Sequence, residues 1–122
     1  MEELIKVLYV DDEPMNLRLF TANFKSRFEV VTAISGEKGL DLIRTIPDIK
    51  AVISDMRMPE MDGMQFIRLA KKDHPSLSFF ILTGYDLSED ISDAMKEGII
   101  QKFFRKPFNI DDIEESVKAA VQ

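Results

Sequence analysis

Three carboxylates, a hydroxyl and an ammonium group stand at matching places in this 122-residue sequence, each at the end of an apolar run. Asp11 and Asp12 close IKVLYVDD, Asp55 closes AVISD, Thr83 closes SFFILT, and Lys106 follows KFFR. A carboxylate can attack phosphorus and form an acyl phosphate. Crowded acids repel one another, and repel incoming phosphoryl oxygens, unless a cation compensates them. A lysine would neutralise the charge that remains. An oxygen-only ligand set suits a hard divalent ion that keeps some of its waters, which means magnesium or manganese. The chemistry at hand is that of a divalent cation beside a phosphorylatable aspartate, Asp55.

Each residue also has a plainer explanation. Glu13-Pro14 announces a helix start, so one of the two aspartates could simply cap it. Aspartate often ends strands, and Pro59 with Asp62-Gly63 marks a turn whose Asp62 can cap the next helix. Taken alone, Lys106 reads as a lysine snorkelling from the core edge, held extended by Pro107. Thr83-Gly84 alone reads as a strand running into a turn, with Gly84 leaving room beside the hydroxyl. A single cap needs one carboxylate, however, and capping does not explain why a run as apolar as Ala51-Val52-Ile53 should end in an acid facing Asp12. The coincidence of all five groups favours the site.

Bringing them together requires a particular frame. Strand-like runs lie near 4–10, 28–33, 49–54, 77–82 and 102–105, each followed by a segment of helical period. The first, third and fourth are almost continuously apolar, as parallel strands covered on both faces are, whereas the second is mixed, as an edge strand can be. Helical stripes follow: Leu17, Phe20 and Phe24; Ile43 and Ile46; Phe66, Ile67 and Ala70; Ile91, Ala94 and Met95; Ile110, Ile113 and Val117. Five such repeats predict an α/β fold, a doubly wound parallel sheet with helices on both faces. In such a sheet the carboxyl ends of the strands converge on one crevice. The length suits one globular domain over residues 1–122. No stretch nears the roughly 20 apolar residues that span a bilayer, so no membrane association is expected. The absence of cysteine rules out disulfides and thiolate ligands and fits a cytoplasmic location. An excess of 22 acidic over 16 basic side chains, a net charge of −6, argues against direct nucleic acid binding by this domain.

These residues together resemble a known family. Asp11-Asp12, DMRMPEMDG from Asp55, LTG around Thr83 and RKPF around Lys106 are similar to the motifs of the receiver domain of two-component response regulators, in order, from about Ile5 to Val121. The resemblance implies a flavodoxin-like, five-stranded sheet of order 2-1-3-4-5. It implies that Asp55 is the phosphoacceptor, served by a histidine kinase or phosphotransfer protein. Asp12, Asp55 and the main-chain carbonyl of Arg57 would hold the metal, with Asp11 acting mostly through water. Thr83 would swing toward the phosphoryl group, Lys106 would pair with it, and Phe103 would be the aromatic that moves with the switch. Arg57 and Tyr85 would flank the phosphoryl group and tune its lifetime. A downstream protein, an output domain or a second copy would then meet the face formed by residues 86–121. One departure stands out: Gly98 lies eight residues before Lys106, one more than is common, which implies an extra residue in the loop before the fifth strand.

Other classes fit less well. A haloacid-dehalogenase-like phosphatase would need a second aspartate two residues past the nucleophile, where this chain has Arg57. A flavodoxin-like electron carrier would need a phosphate-cradling first loop, and VDDEPMN would repel the phosphate. The remaining alternative is a pseudo-receiver that works by its surface without phosphorylation. His74, the only histidine, suits a helix C-terminus better than catalysis, and Met56, Met58, Met61 and Met64 suit packing better than ligation.

Overall fold

The computed structural model describes residues 4–84 and 87–121. Strands and helices alternate along them: β1 (Ile5–Val10), α1 (Pro14–Phe24), β2 (Phe28–Ala33), α2 (Gly36–Thr45), β3 (Ile49–Asp55), α3 (Gly63–Asp73), β4 (Ser78–Thr83), α4 (Glu89–Lys96), β5 (Lys102–Arg105) and α5 (Ile110–Val121). The strands pair in parallel in the order β2-β1-β3-β4-β5. This is the flavodoxin-like α/β sheet expected from the sequence, with the mixed β2 at one edge. Among the described residues no helix is long and apolar enough to cross a membrane.

Alternation along the strands sends successive side chains to opposite faces, and each face builds its own core. Leu8, Val10, Val52, Phe79 and Ile81 meet Ile43 of α2, Phe66, Ile67 and Ala70 of α3 and Ile91 and Ala94 of α4 on one side. Val7, Tyr9, Ala51, Ile53, Phe80 and Leu82 meet Phe20 and Phe24 of α1 and Ile113 and Val117 of α5 on the other. The predicted helical stripes supply these residues. Because β1, β3 and β4 are covered on both sides, their apolar runs are continuous.

Local signals fix the helix ends. Pro14 occupies the first turn of α1. Ser35 and Ser88 cap α2 and α4 through their side chains. Asp62 accepts from Gln65 N at 2.8 Å while the Gln65 side chain accepts from Asp62 N at 2.9 Å, closing a capping box on α3. His74 stands at the C-terminus of α3, its N–H donating to Ala70 O. Gly98, with φ of +76°, follows the last turn of α4, a left-handed conformation that glycine adopts without a Cβ clash. From there Ile100 returns to the core and Gln101 N donates to Phe79 O at 2.8 Å.

Two strands run one residue further than the apolar pattern alone suggests. Pairing continues through Asp55↔Leu82 and Thr83↔Arg105, so both polar residues are the last members of their strands. The ladder holds the backbone of each in place.

Candidate functional site

Register brings the predicted residues to one end of the sheet. Val10 pairs with Ala33 on one side and Ser54 on the other, so Asp11 emerges beside Asp55. Asp11 N–H donates to Ala33 O at 3.1 Å and Lys106 N–H to Thr83 O at 2.8 Å, which extends the strand frame to the first residue past β1 and β5. Asp11, Asp12 and Asp55 each offer an oxygen, and these oxygens lie within 4.8 Å of one another. Lys106 Nζ lies 3.2 Å from Asp55 Oδ1 and 3.5 Å from Asp11 Oδ2. Four of the five predicted groups thus share one crevice. The fifth, Thr83, is buried at the end of the next strand, whose Leu82 pairs with Asp55.

Burial sets the electrostatics. Asp11 has no exposed surface; its Oδ1 accepts from Glu13 N at 3.0 Å and its Oδ2 from the Tyr9 hydroxyl at 2.7 Å. Burial raises the Asp55 carboxyl above the ordinary aspartate range; the Lys106 ammonium pulls it back down, and Asp11 pushes it further up. Burial also holds the Tyr9 phenol far above its usual value, with the Asp11 hydrogen bond adding to the shift, so Tyr9 is a hydrogen-bond donor to Asp11 at any ordinary pH. The single ammonium of Lys106 faces two buried or half-buried acids with Asp12 beside them. An all-oxygen, charge-rich set of this kind is compatible with a divalent cation.

The capping explanation for the first two acids does not describe what α1 does. Its N-cap is Glu13, which makes no side-chain capping bond, and Asp11 serves the loop by accepting from the Glu13 N–H. The space beside Thr83 is open: a Cβ built on Gly84 would meet nothing within 4 Å, so that room does not depend on glycine. Arg57 is exposed in the β3–α3 loop, on the rim of an open hollow of about 610 Å³ that also touches Met56, Thr83, Ser88 and Asp90. Phe103 is half-buried beside Ile81, against the core that contains Ile91 and Ala94. Tyr85 lies outside the described residues.

Two residues of the site escaped the sequence reading. Tyr9 shares a sheet face with Asp11 because strand side chains repeat every second residue, and that spacing could have revealed it. The sequence presents Gly63 only as part of a turn. A Cβ there would fall 2.1 Å from the Asp55 carbonyl oxygen, and Gly63 N donates to Met56 O at 2.8 Å. The start of α3 is thus pressed directly onto the backbone of the candidate nucleophile.

Comparisons with known proteins agree with this geometry. The family model described as the response regulator receiver domain matches residues 7–118. The transcriptional regulatory protein GlrR of Escherichia coli K12 is 35% identical over 117 residues, 95% of this chain, which spans only 26% of that relative's length. Sporulation initiation phosphotransferase F of Bacillus subtilis 168 is 30% identical over 93% of this chain and 90% of its own length. The crystal structure of a response regulator receiver domain protein from Clostridium thermocellum superposes with a TM-score of 0.84 at 34% identity, covering 97% of this chain and 94% of that one. With its fold, its acidic crevice and a family match running through both, the chain belongs to the CheY-like receiver domains of two-component response regulators.

Proposed function

We propose that the chain, read as one receiver domain over residues 1–122, accepts a phosphoryl group on Asp55 from a histidine kinase or phosphotransfer protein of the cytoplasm. The observation that carries this reading is the clustering of Asp11, Asp12 and Asp55, with Lys106 Nζ at 3.2 Å from Asp55 Oδ1 and 3.5 Å from Asp11 Oδ2. An Asp55 carboxylate oxygen attacks phosphorus; the phosphorus–nitrogen bond of the phosphohistidine donor breaks, and its electron pair returns to the imidazole. Lys106, already paired with Asp55, moves its charge onto the phosphoryl oxygens. Thr83, at the end of the neighbouring strand, donates its hydroxyl to one of them.

Asp12, Asp55 and the main-chain carbonyl of Arg57 would hold a magnesium or manganese ion, with Asp11 reaching it through water. When bound, the cation offsets the repulsion between carboxylates and phosphoryl oxygens. Arg57 and Tyr85, two residues past Asp55 and Thr83, tune access of the hydrolytic water. Sporulation initiation phosphotransferase F, matched over nearly its whole length, is named for phosphoryl transfer and supports this activity. GlrR, of which the chain spans about a quarter, is named as a transcriptional regulator and supports an output through a further domain or a separate partner.

Asp12 tests the shared site. Asp12→Asn keeps the size and removes a charge, so magnesium affinity, followed by amide shifts, and uptake of phosphoryl from a small phosphodonor should fall together. Each should fall on the order of tenfold or more. Full phosphorylation with unchanged magnesium affinity in this variant would overturn the assignment.

A further inference from the structure

We propose that Tyr9 is a positioning residue for the phosphoryl-transfer site, its hydroxyl fixing Asp11 so that Lys106 is left to Asp55. The inference rests on the reading of Asp55 as phosphoacceptor and adds to it a residue of the core on the same face of the sheet. The Tyr9 ring belongs to the aromatic cluster beneath α1: it stacks on Phe20 at 4.2 Å with 12° between planes, and Phe20 and Phe24 continue the contact to Phe28 and Phe108. Phenylalanine serves at each of those other places, so packing explains the Tyr9 ring and leaves its hydroxyl unexplained. Burying a hydroxyl is costly unless it is hydrogen-bonded. Here it is spent on Asp11 Oδ2 at 2.7 Å.

That bond has a consequence for the lysine. Asp11 Oδ2 and Asp55 Oδ1 compete for Lys106 Nζ, at 3.5 and 3.2 Å. Asp11 is fully buried, so an oxygen that lost its hydroxyl partner would have few places to find another. Lys106 Nζ, 3.5 Å away, is one. With Tyr9 donating on one side and the Glu13 N–H on the other, the Asp11 carboxylate is held in a fixed plane and its demand on the ammonium is reduced. Hydrogen-bond partners of this kind orient the carboxylates of metal sites, and their loss typically lowers metal affinity about 10- to 100-fold.

Tyr9→Phe keeps the stacked ring and removes only the hydroxyl. We expect the magnesium dissociation constant, read from the amides of Asp12 and Met56, to rise on the order of tenfold. In the folded, metal-free variant the Lys106 Cε and Nζ resonances should also shift as the ammonium moves toward Asp11, a change that a packing role would not produce. Unchanged affinity with unmoved Lys106 signals, in a variant whose wild-type parent binds magnesium, would overturn the role of Tyr9 and leave the phosphoacceptor reading intact. A wild-type protein that binds no magnesium would instead defeat the underlying reading. If Tyr9→Phe does not fold, the wild-type titration decides. Tyr9 ring signals that move along the same curve as the Asp12 amide support the proposal, and ring signals that stay fixed overturn it.

Discussion

Burial places the Asp55 carboxyl in an environment that disfavours its ionised form. Its folded pKa lies above its unfolded value because burial and the Asp11 charge outweigh Lys106. Protonation therefore favours the folded form: the stabilising contribution is full below the unfolded carboxylate range, about pH 4, and is lost as the pH rises through the folded value. At neutral pH the ionised group is a net liability to the fold. Asp55→Asn should accordingly raise the melting temperature at pH 7, and the gain should shrink toward zero as the pH falls to about 4. A thermal melt series across that window checks it; an Asn variant less stable at pH 7 than the parent would contradict it. Magnesium should reverse the ranking, because a ligand that binds only the folded wild-type site raises its stability by mass action.

At the scale of elements, the strands that carry the chemistry were readable because they are apolar on both faces, and the helices because their stripes repeat at helical spacing. The acids, Thr83 and Lys106 were legible as the polar ends of those apolar runs. What was hidden depended on proximity across the chain. Tyr9 looked like one more apolar strand residue, and Gly63 like one more turn glycine, because neither sequence neighbourhood reveals that Asp11 Oδ2 or the Asp55 carbonyl stands beside it. The loop between β3 and α3 is the element where this matters most. Gly63→Ala would drive a methyl into the Asp55 carbonyl, and since the obstacle is backbone, the loop must shift. A loss of about 1–3 kcal/mol in denaturant unfolding is expected. Magnesium affinity should fall as well, because the Arg57 carbonyl moves with the loop. Wild-type stability and affinity in Gly63→Ala would show that the loop yields without cost.

Across the whole molecule, a group as small as a phosphoryl must bias an element with two positions to be read at a distance. Thr83 and Phe103 stand on adjacent strands, Phe103 pairing with Ile81 two residues before Thr83, and Phe103 packs against the core that includes α4. Helices α4 and α5 carry the exposed charges Asp90, Asp93, Lys96, Asp111, Asp112 and Glu115. Two of these are already engaged, Asp111 with Arg27 at 3.1 Å and Asp112 with Lys102 at 2.8 Å, in exposed pairs of the kind worth little each. Such a surface suits polar, regulated contacts. Binding of a phosphoryl-mimicking fluoroberyllate with magnesium should shift the resonances of Phe103 and of residues 89–98. Shifts confined to the loops around Asp55 would contradict a relayed switch.

Incubating the protein with a small phosphodonor and magnesium and weighing it intact decides whether Asp55 is the phosphoacceptor. We expect a gain of one phosphoryl group that requires the cation, is removed by hydroxylamine as an acyl phosphate must be, and is absent from Asp55→Asn. Labelling of Asp55→Asn in wild-type yield, or a wild-type protein that takes up no phosphoryl group under these conditions, would contradict it.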